Sequence, residues 1–218
     1  MDRNSDSSRP AGNARPETVS IQVLAGGTEA LVARTRRLIG VSPFVLVARS
    51  SLAARFLLEQ LDPSHHSRPV GAGDADLPES SVLLYDLAAP PARRREALDA
   101  FANRRVAGIV ACPVSLVDGP LLSAVSAVGR VHWIVQDAHA LSLESSRFVP
   151  ELVRIQDLTR HPGTASLLLQ VSPDAPRARA VVEALLGTES AVAEASDGNI
   201  DRVRVRCLFV DEAGRSRT

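Results

Sequence analysis

The stretch Ser81-Val82-Leu83-Leu84-Tyr85-Asp86-Leu87-Ala88-Ala89-Pro90 constrains this chain more than any other. A short apolar run ends in a single aspartate and then meets small residues and a proline pair. A strand buried on both faces of a parallel sheet has this continuous apolar character, and its last residue opens onto the sheet's carboxyl edge. In open α/β sheets that edge is where ligands sit. Asp86 is therefore the first candidate functional residue, and its worth depends on what else the edge supplies.

Similar runs recur along the chain, separated by segments with helical spacing. A strand over Ser20–Leu24 is closed by Gly26-Gly27, and Thr28–Ile39 places Leu31, Val32, Thr35, Leu38 and Ile39 on one helix face. Thr28 reads as its N-cap and Gly40 as its stop. A strand at Pro43–Ala48, a helix at Ser51–Leu61, the opening strand and a helix at Ala92–Arg104 follow. Next come a strand at Val106–Cys112, a helix from Asp118 to Val128, a strand at Val131–Val135 and a helix at Phe148–Leu158. Strand–helix alternation with apolar middle strands predicts an α/β fold: a five-stranded, parallel, doubly wound (flavodoxin-like) sheet. The expected division is a polar, disordered tail over 1–19, an α/β domain over 20–158 with a surface insertion at 63–80, and a small C-terminal domain over 159–218.

Composition narrows the chemistry. Lysine is absent, so all 25 basic residues are arginine. No P-loop lysine, Schiff base or lysine general base can operate. The 25 acidic residues balance the arginines, which argues against a broadly basic nucleic-acid coat. Aromatics are 3% of the chain, so Leu, Val and Ala must fill the core. Cys112 and Cys207 lie in strand-like apolar surroundings and make neither a disulfide framework nor a zinc site. The N-terminal residues lack the apolar core of a signal peptide, and no run is long enough to span a bilayer. The expected location is cytoplasmic, with no membrane partner.

The first 140 residues resemble a receiver domain of the LuxR/NarL type of response regulator. The resemblance rests on Ile21-Gln22-Val23-Leu24-Ala25, Val82-Leu83-Leu84-Tyr85-Asp86-Leu87 and Trp133-Ile134-Val135-Gln136-Asp137-Ala138. It implies that Asp86 stands at the phosphoacceptor position. It also implies that Gly26-Gly27 replace the cation-binding acidic pair, that Cys112 stands near the hydroxyl position and that Gln136 replaces the lysine. A carboxylate attacks a polyanionic phosphate only when cations screen the charge. Asp86 lacks that screening and reads as a remnant of the phosphoacceptor position.

The tail matches the length of the LuxR-type helix–turn–helix domain, with Leu158-Thr159 resembling its opening. Its recognition-helix position, Thr188–Asn199, carries Glu189, Glu194 and Asp197 and no basic residue, which would repel a phosphate backbone. Residues 160–218 hold eight arginines and eight acids, so no strong electrostatic footprint exists. The run over Arg202–Val210 alternates like a strand in its first half, and its second half also fits a buried helix, so the tail reads as either a degenerate helix–turn–helix or a small α/β appendage.

Other features read as structural. Gly71-Ala72-Gly73-Asp74 opens no helix, so it is no dinucleotide fingerprint. His65-His66 lack further ligands, so no metal and no cofactor are implied. Cys112 has no adjacent histidine to lower its pKa and reads as core. Arg93-Arg94-Arg95 reads as a solvated helix face. The sequence therefore predicts a non-enzymatic regulatory protein: a phosphorylation-independent pseudo-receiver acting by protein–protein contact, as a dimer or with another protein. Its edge-of-sheet pocket would be made by Gly26, Gly27, Cys112, Gln136 and Asp137. Two alternatives stand beside it, a DNA-binding transcriptional regulator and a small-ligand-binding α/β module.

Overall fold

The computed structural model describes residues 19–64, 81–143, 149–158, 161 and 163–171, with strand segments at 208–210 and 216–217. The expected insertion, including His65-His66 and the Gly-Ala-Gly-Asp stretch, lies almost wholly outside the described residues, as do Cys207 and the recognition-helix position.

Six strands alternate with helices along the described chain. They are β1 (Ser20–Ala25), α1 (Thr28–Arg36), β2 (Phe44–Val47), α2 (Ser51–Leu61), β3 (Val82–Tyr85), α3 (Pro91–Ala102) and β4 (Gly108–Ala111). A 3-10 turn at Pro113–Val117 leads to α4 (Gly119–Val128), β5 (Val131–Val135), α5 (Ala138–Leu143), α6 (Val149–Leu158) and β6 (Thr164–Val171). Two short strands, β7 (Leu208–Val210) and β8 (Ser216–Arg217), follow.

Local chemistry sets the helix starts. The Ser50 hydroxyl accepts from the Ala53 N–H at 3.2 Å and caps α2, and the Asp118 carboxylate accepts from the Leu121 N–H at 3.3 Å and caps α4. Pro91 opens α3, where its missing N–H costs nothing. Thr28 is not the N-cap of α1: Gly27 takes that place with no side-chain cap, and Thr28 is the first helical residue.

The core has two layers, one on each face of the sheet. Alternate residues of β2 divide between them. Val45 and Val47 pack with Leu98, Phe101, Leu121, Val125 and Ile155 of α3, α4 and α6. Phe44 and Leu46 pack with Leu31, Val32, Ala54, Leu57 and Leu58 of α1 and α2. All four residues of β2 and of β4 are buried, as central strands covered on both sides require. Gly108 opens β4 directly opposite Phe44, and a Cβ there would meet the ring at 2.5–2.6 Å. Only glycine lets the aromatic lie across its partner strand.

The sheet order is β3-β4-β2-β5-β6-β1-β7-β8, and only the β7–β8 pair is antiparallel. The α/β class and parallel sheet agree with expectation, but the parallel core has six strands and not five. Connectivity also differs. In a flavodoxin-like order, 2-1-3-4-5, β1 lies between β2 and β3. Here β1 lies between β6 and β7, while β2 lies between β4 and β5. The missing strand is β6, which bonds along β1 from Ser20↔Ser166 to Ala25↔Val171 and along β5 on its other side. Residues 164–171 therefore share one sheet with strands β1 to β5. Leu208–Val210 is a strand parallel to β1, so the strand reading of that half-run is the one observed.

Candidate site at the carboxyl edge

Helices α1 and α2 leave β1 and β2 towards one face of the sheet, whereas α4, α5 and α6 follow β4 and β5 onto the other. β2 and β5 are neighbours whose connections diverge, and a crevice opens at the carboxyl ends of such a pair. A cleft of about 620 Å³ lies there. It is lined from β1–α1 by Gly26, Gly27 and Thr28, from β2–α2 by Arg49, Ser50 and Phe56, and from β5 and β6 by Gln136, Asp137 and Gln170.

Its floor is a closed amide network. Gln170, only 3% exposed, accepts the Asp137 N–H through Oε1 at 2.7 Å. Its Nε2 donates to the Gly26 carbonyl at 2.6 Å and to the Val171 carbonyl at 3.3 Å. The reversed amide would set N–H against N–H and carbonyl against carbonyl, so the network itself fixes the orientation. Buried Gln136 accepts the Arg49 N–H at 3.2 Å, which ties the start of the β2–α2 loop to β5. Asp137 sits at φ +49°, a left-handed turn that Asp tolerates better than most residues. That turn brings its carboxylate to 3.4 Å from the Arg49 guanidinium. The pair is the cleft's lip, with Arg49 65% and Asp137 19% exposed.

Four of the five residues expected at this edge, Gly26, Gly27, Gln136 and Asp137, line the one cleft. Cys112 does not. It ends β4 on the far side of β2, where its thiol lies 3.3 Å from the Ser51 hydroxyl. Burial is the main cause that pushes this thiol's pKa up, and nearby Asp86 adds to it, so the thiol stays protonated. Asp86 belongs to the same second cluster, 3.7 Å from Arg55, with its other oxygen accepting the Ala88 N–H at 2.9 Å. The strand-end aspartate thus shapes the β3–α3 turn and carries a salt bridge. Arg49, Thr28 and Gln170 were missed as site residues. Arg49 and Thr28 each follow a strand end within a few residues, a signal the sequence does hold. Gln170 lies on β6, a strand beyond the five that the sequence predicts.

The β1–α1 corner has the strand–loop–helix placement of a phosphate-binding loop. In P-loop triphosphatases a long glycine-rich loop wraps the phosphates, a lysine reaches them, and a loop Ser/Thr with a strand-end Asp holds Mg²⁺. The present residues do not fit that group. Only Gly26 and Gly27 separate β1 from α1, and the chain has no lysine. A Cβ added at Gly27 would meet nothing within 4 Å, so no close cradle is formed there. Asp137 is already engaged by Arg49. No group of three or more metal-ligating side chains occurs among the described residues, and none of their helices is long and apolar enough to cross a membrane.

No protein-family model and no curated protein matches the sequence. Solved structures do. The DUF1998 helicase MrfA bound to DNA is similar over 92% of this chain and 26% of its own, with a TM-score of 0.53 at 12% identity. MrfA bound to DNA and AMPPNP is similar over 78% of this chain and 24% of its own, with 0.51 at 13% identity. The helicase domain of Pyrococcus furiosus Hef reaches 0.46 at 15% identity, over 89% of this chain and 36% of its own. The chain spans about a quarter of the length of the MrfA structures, and the likeness is one of fold. It corrects the resemblance to a LuxR/NarL response regulator, and with it the pseudo-receiver regulator acting by protein contact. The expectation of a non-enzyme is corrected with it: it rested on a receiver pocket, and the solved structures of similar fold are those of the helicase MrfA. What the MrfA structures share with this chain is its α/β fold.

Proposed function

We propose that this chain is a helicase-type domain that binds nucleic acid across the carboxyl edge of its sheet, with arginine as the phosphate contact. The observation that carries the reading is the placement of exposed cations on that edge within a fold like that of DNA-bound MrfA. Arg49 and Arg55 follow β2, and Arg93 and Arg95 stand exposed in the first turns of α3 after β3. Protein–nucleic acid contacts go largely to phosphates, from Arg side chains and helix N-termini, and need no net positive charge on the whole molecule.

The two edge guanidiniums that have carboxylate partners hold them loosely. The Arg49–Asp137 and Arg55–Asp86 pairs span 3.4 and 3.7 Å, and both arginine side chains are 65% exposed. Exposed pairs of this kind are worth about 0–1 kcal/mol. A phosphodiester, which accepts two parallel guanidinium N–H bonds, can displace either carboxylate at small cost.

The test is fluorescence anisotropy of a labelled single strand and a labelled duplex over a series of salt concentrations. The expected result is binding at low salt that weakens as salt rises. Arg49→Ala and Arg55→Ala should each lower affinity and reduce the salt slope by about 1. Absence of binding at low salt, or unchanged slopes in both variants, would overturn the proposal.

A further inference from the structure

The cleft has an apolar shoulder that phosphate binding does not use. Leu52 and Phe56 stand four residues apart on α2, hence on one face, and are 80% and 50% exposed. Phe56 lines the carboxyl-edge cleft and also a groove of about 510 Å³ running on between α1 and α2, past Val32 and Ala33. In a chain that is 3% aromatic, the other aromatic side chains described (Phe44, Tyr85, Phe101 and Trp133) are at most 1% exposed. Among the described side chains one phenyl ring is left at the rim, and the exposed guanidinium of Arg49 lines the same cleft.

We infer that Phe56 is a stacking platform for a nucleobase whose phosphate is met by Arg49, so that the cleft selects ligands carrying both a base and a phosphate. The inference rests on the nucleic-acid reading and names its subsite. A bare phosphate needs only the guanidinium, and an apolar partner needs only the ledge. A half-exposed aromatic ring and an exposed guanidinium on one cleft match a nucleotide unit, whose π-face and anionic group lie a few ångströms apart. Stacking of this kind tolerates any base, because every base has a π-face. The groove's two charged side chains, Glu29 and Arg36, are opposite in sign, so it offers no net cationic charge for a second phosphate.

The experiment compares oligothymidylate with an abasic strand of equal phosphate number, for the wild-type chain, Phe56→Ala and Phe56→Tyr. Wild type should bind the base-bearing strand about tenfold more tightly than the abasic one. Phe56→Ala should lose this ratio while keeping the abasic affinity, and Phe56→Tyr should retain it. Thymidine monophosphate added as competitor distinguishes the sources: displacement at a similar concentration per nucleotide assigns the subsite to a free nucleotide, and failure to displace assigns it to a strand. Phe56→Ala that keeps the ratio overturns the inference and leaves the nucleic-acid reading standing. Loss of binding to both strands by the wild-type chain overturns that reading itself. Light scattering on the same samples covers the remaining occupant. A mass that falls in Phe56→Ala, with the base ratio unchanged, would assign the ledge to a second copy of the chain.

Discussion

Replacing Gln170 by leucine is the sharpest test of how the cleft is built. Leucine is close in size and apolar, so it keeps the volume and removes the amide. Gln170 makes three hydrogen bonds, but their losses are unequal. The Val171 carbonyl also accepts from the Gly26 N–H at 3.1 Å and keeps that partner. The Asp137 N–H and the Gly26 carbonyl lose theirs, at 2.7 and 2.6 Å, in a place where the side chain is 3% exposed. Leaving a buried polar group unpaired costs about 1–3 kcal/mol, so two cost about 2–6 kcal/mol, against a domain stability of about 5–15 kcal/mol. Trp133 is the chain's single tryptophan and is fully buried, which makes its fluorescence a clean report of unfolding in urea. The expected result is a midpoint shifted well down with little change in slope. A loss below about 0.5 kcal/mol would refute the reasoning, since that is the range of substitutions touching nothing important.

Two further outcomes test other parts of the fold. Gly108→Ala should cost about 1–3 kcal/mol by forcing the Phe44 ring off its partner strand, and a variant as stable as wild type in the same urea assay would show that the ring moves freely. Tyr85 is the only tyrosine, and burial, with its 2.5 Å hydrogen bond to Asp118 second, raises its pKa to about 12. The unfolded chain ionises near pH 10, so this contribution to stability is complete below pH 10 and is lost as pH rises toward about 12. Phenolate absorbance should titrate with a midpoint near 12 in the folded chain, and a midpoint near 10 would contradict the buried Tyr85–Asp118 pair.

Much of the local structure was legible because it is written in short-range chemistry. Helix α2 runs over Ser51–Leu61 and β5 over Val131–Val135, as periodicity and caps place them. Some boundaries slipped: Gly27 and not Thr28 is the N-cap of α1, and α1 ends at Arg36, short of the expected Ile39 and Gly40. Strand order was not legible, because apolar strands buried on both faces offer the same surface to any neighbour. β6 shows this most clearly. Ser166–Val171 is an apolar run in sequence, but nothing local says that it forms a strand inserted between β5 and β1. The last 60 residues match a helix–turn–helix domain in length, and the expected sheet therefore stopped at five strands. The site follows the same division: the cleft's edge positions 26, 27, 136 and 137 are visible as strand ends, whereas the Gln170 amide on the sixth strand is not.

Hydrogen exchange with and without a short single strand addresses the central claim most directly, because it reports where the ligand lies. The carboxyl-edge segments 26–31, 49–56 and 136–140 should gain protection together, while the opposite edge of the sheet, around residues 19–20, 43–44 and 106–108, stays unchanged. Binding accompanied by protection confined to other segments, with the amides around Arg49 and Asp137 unaltered, would contradict the account.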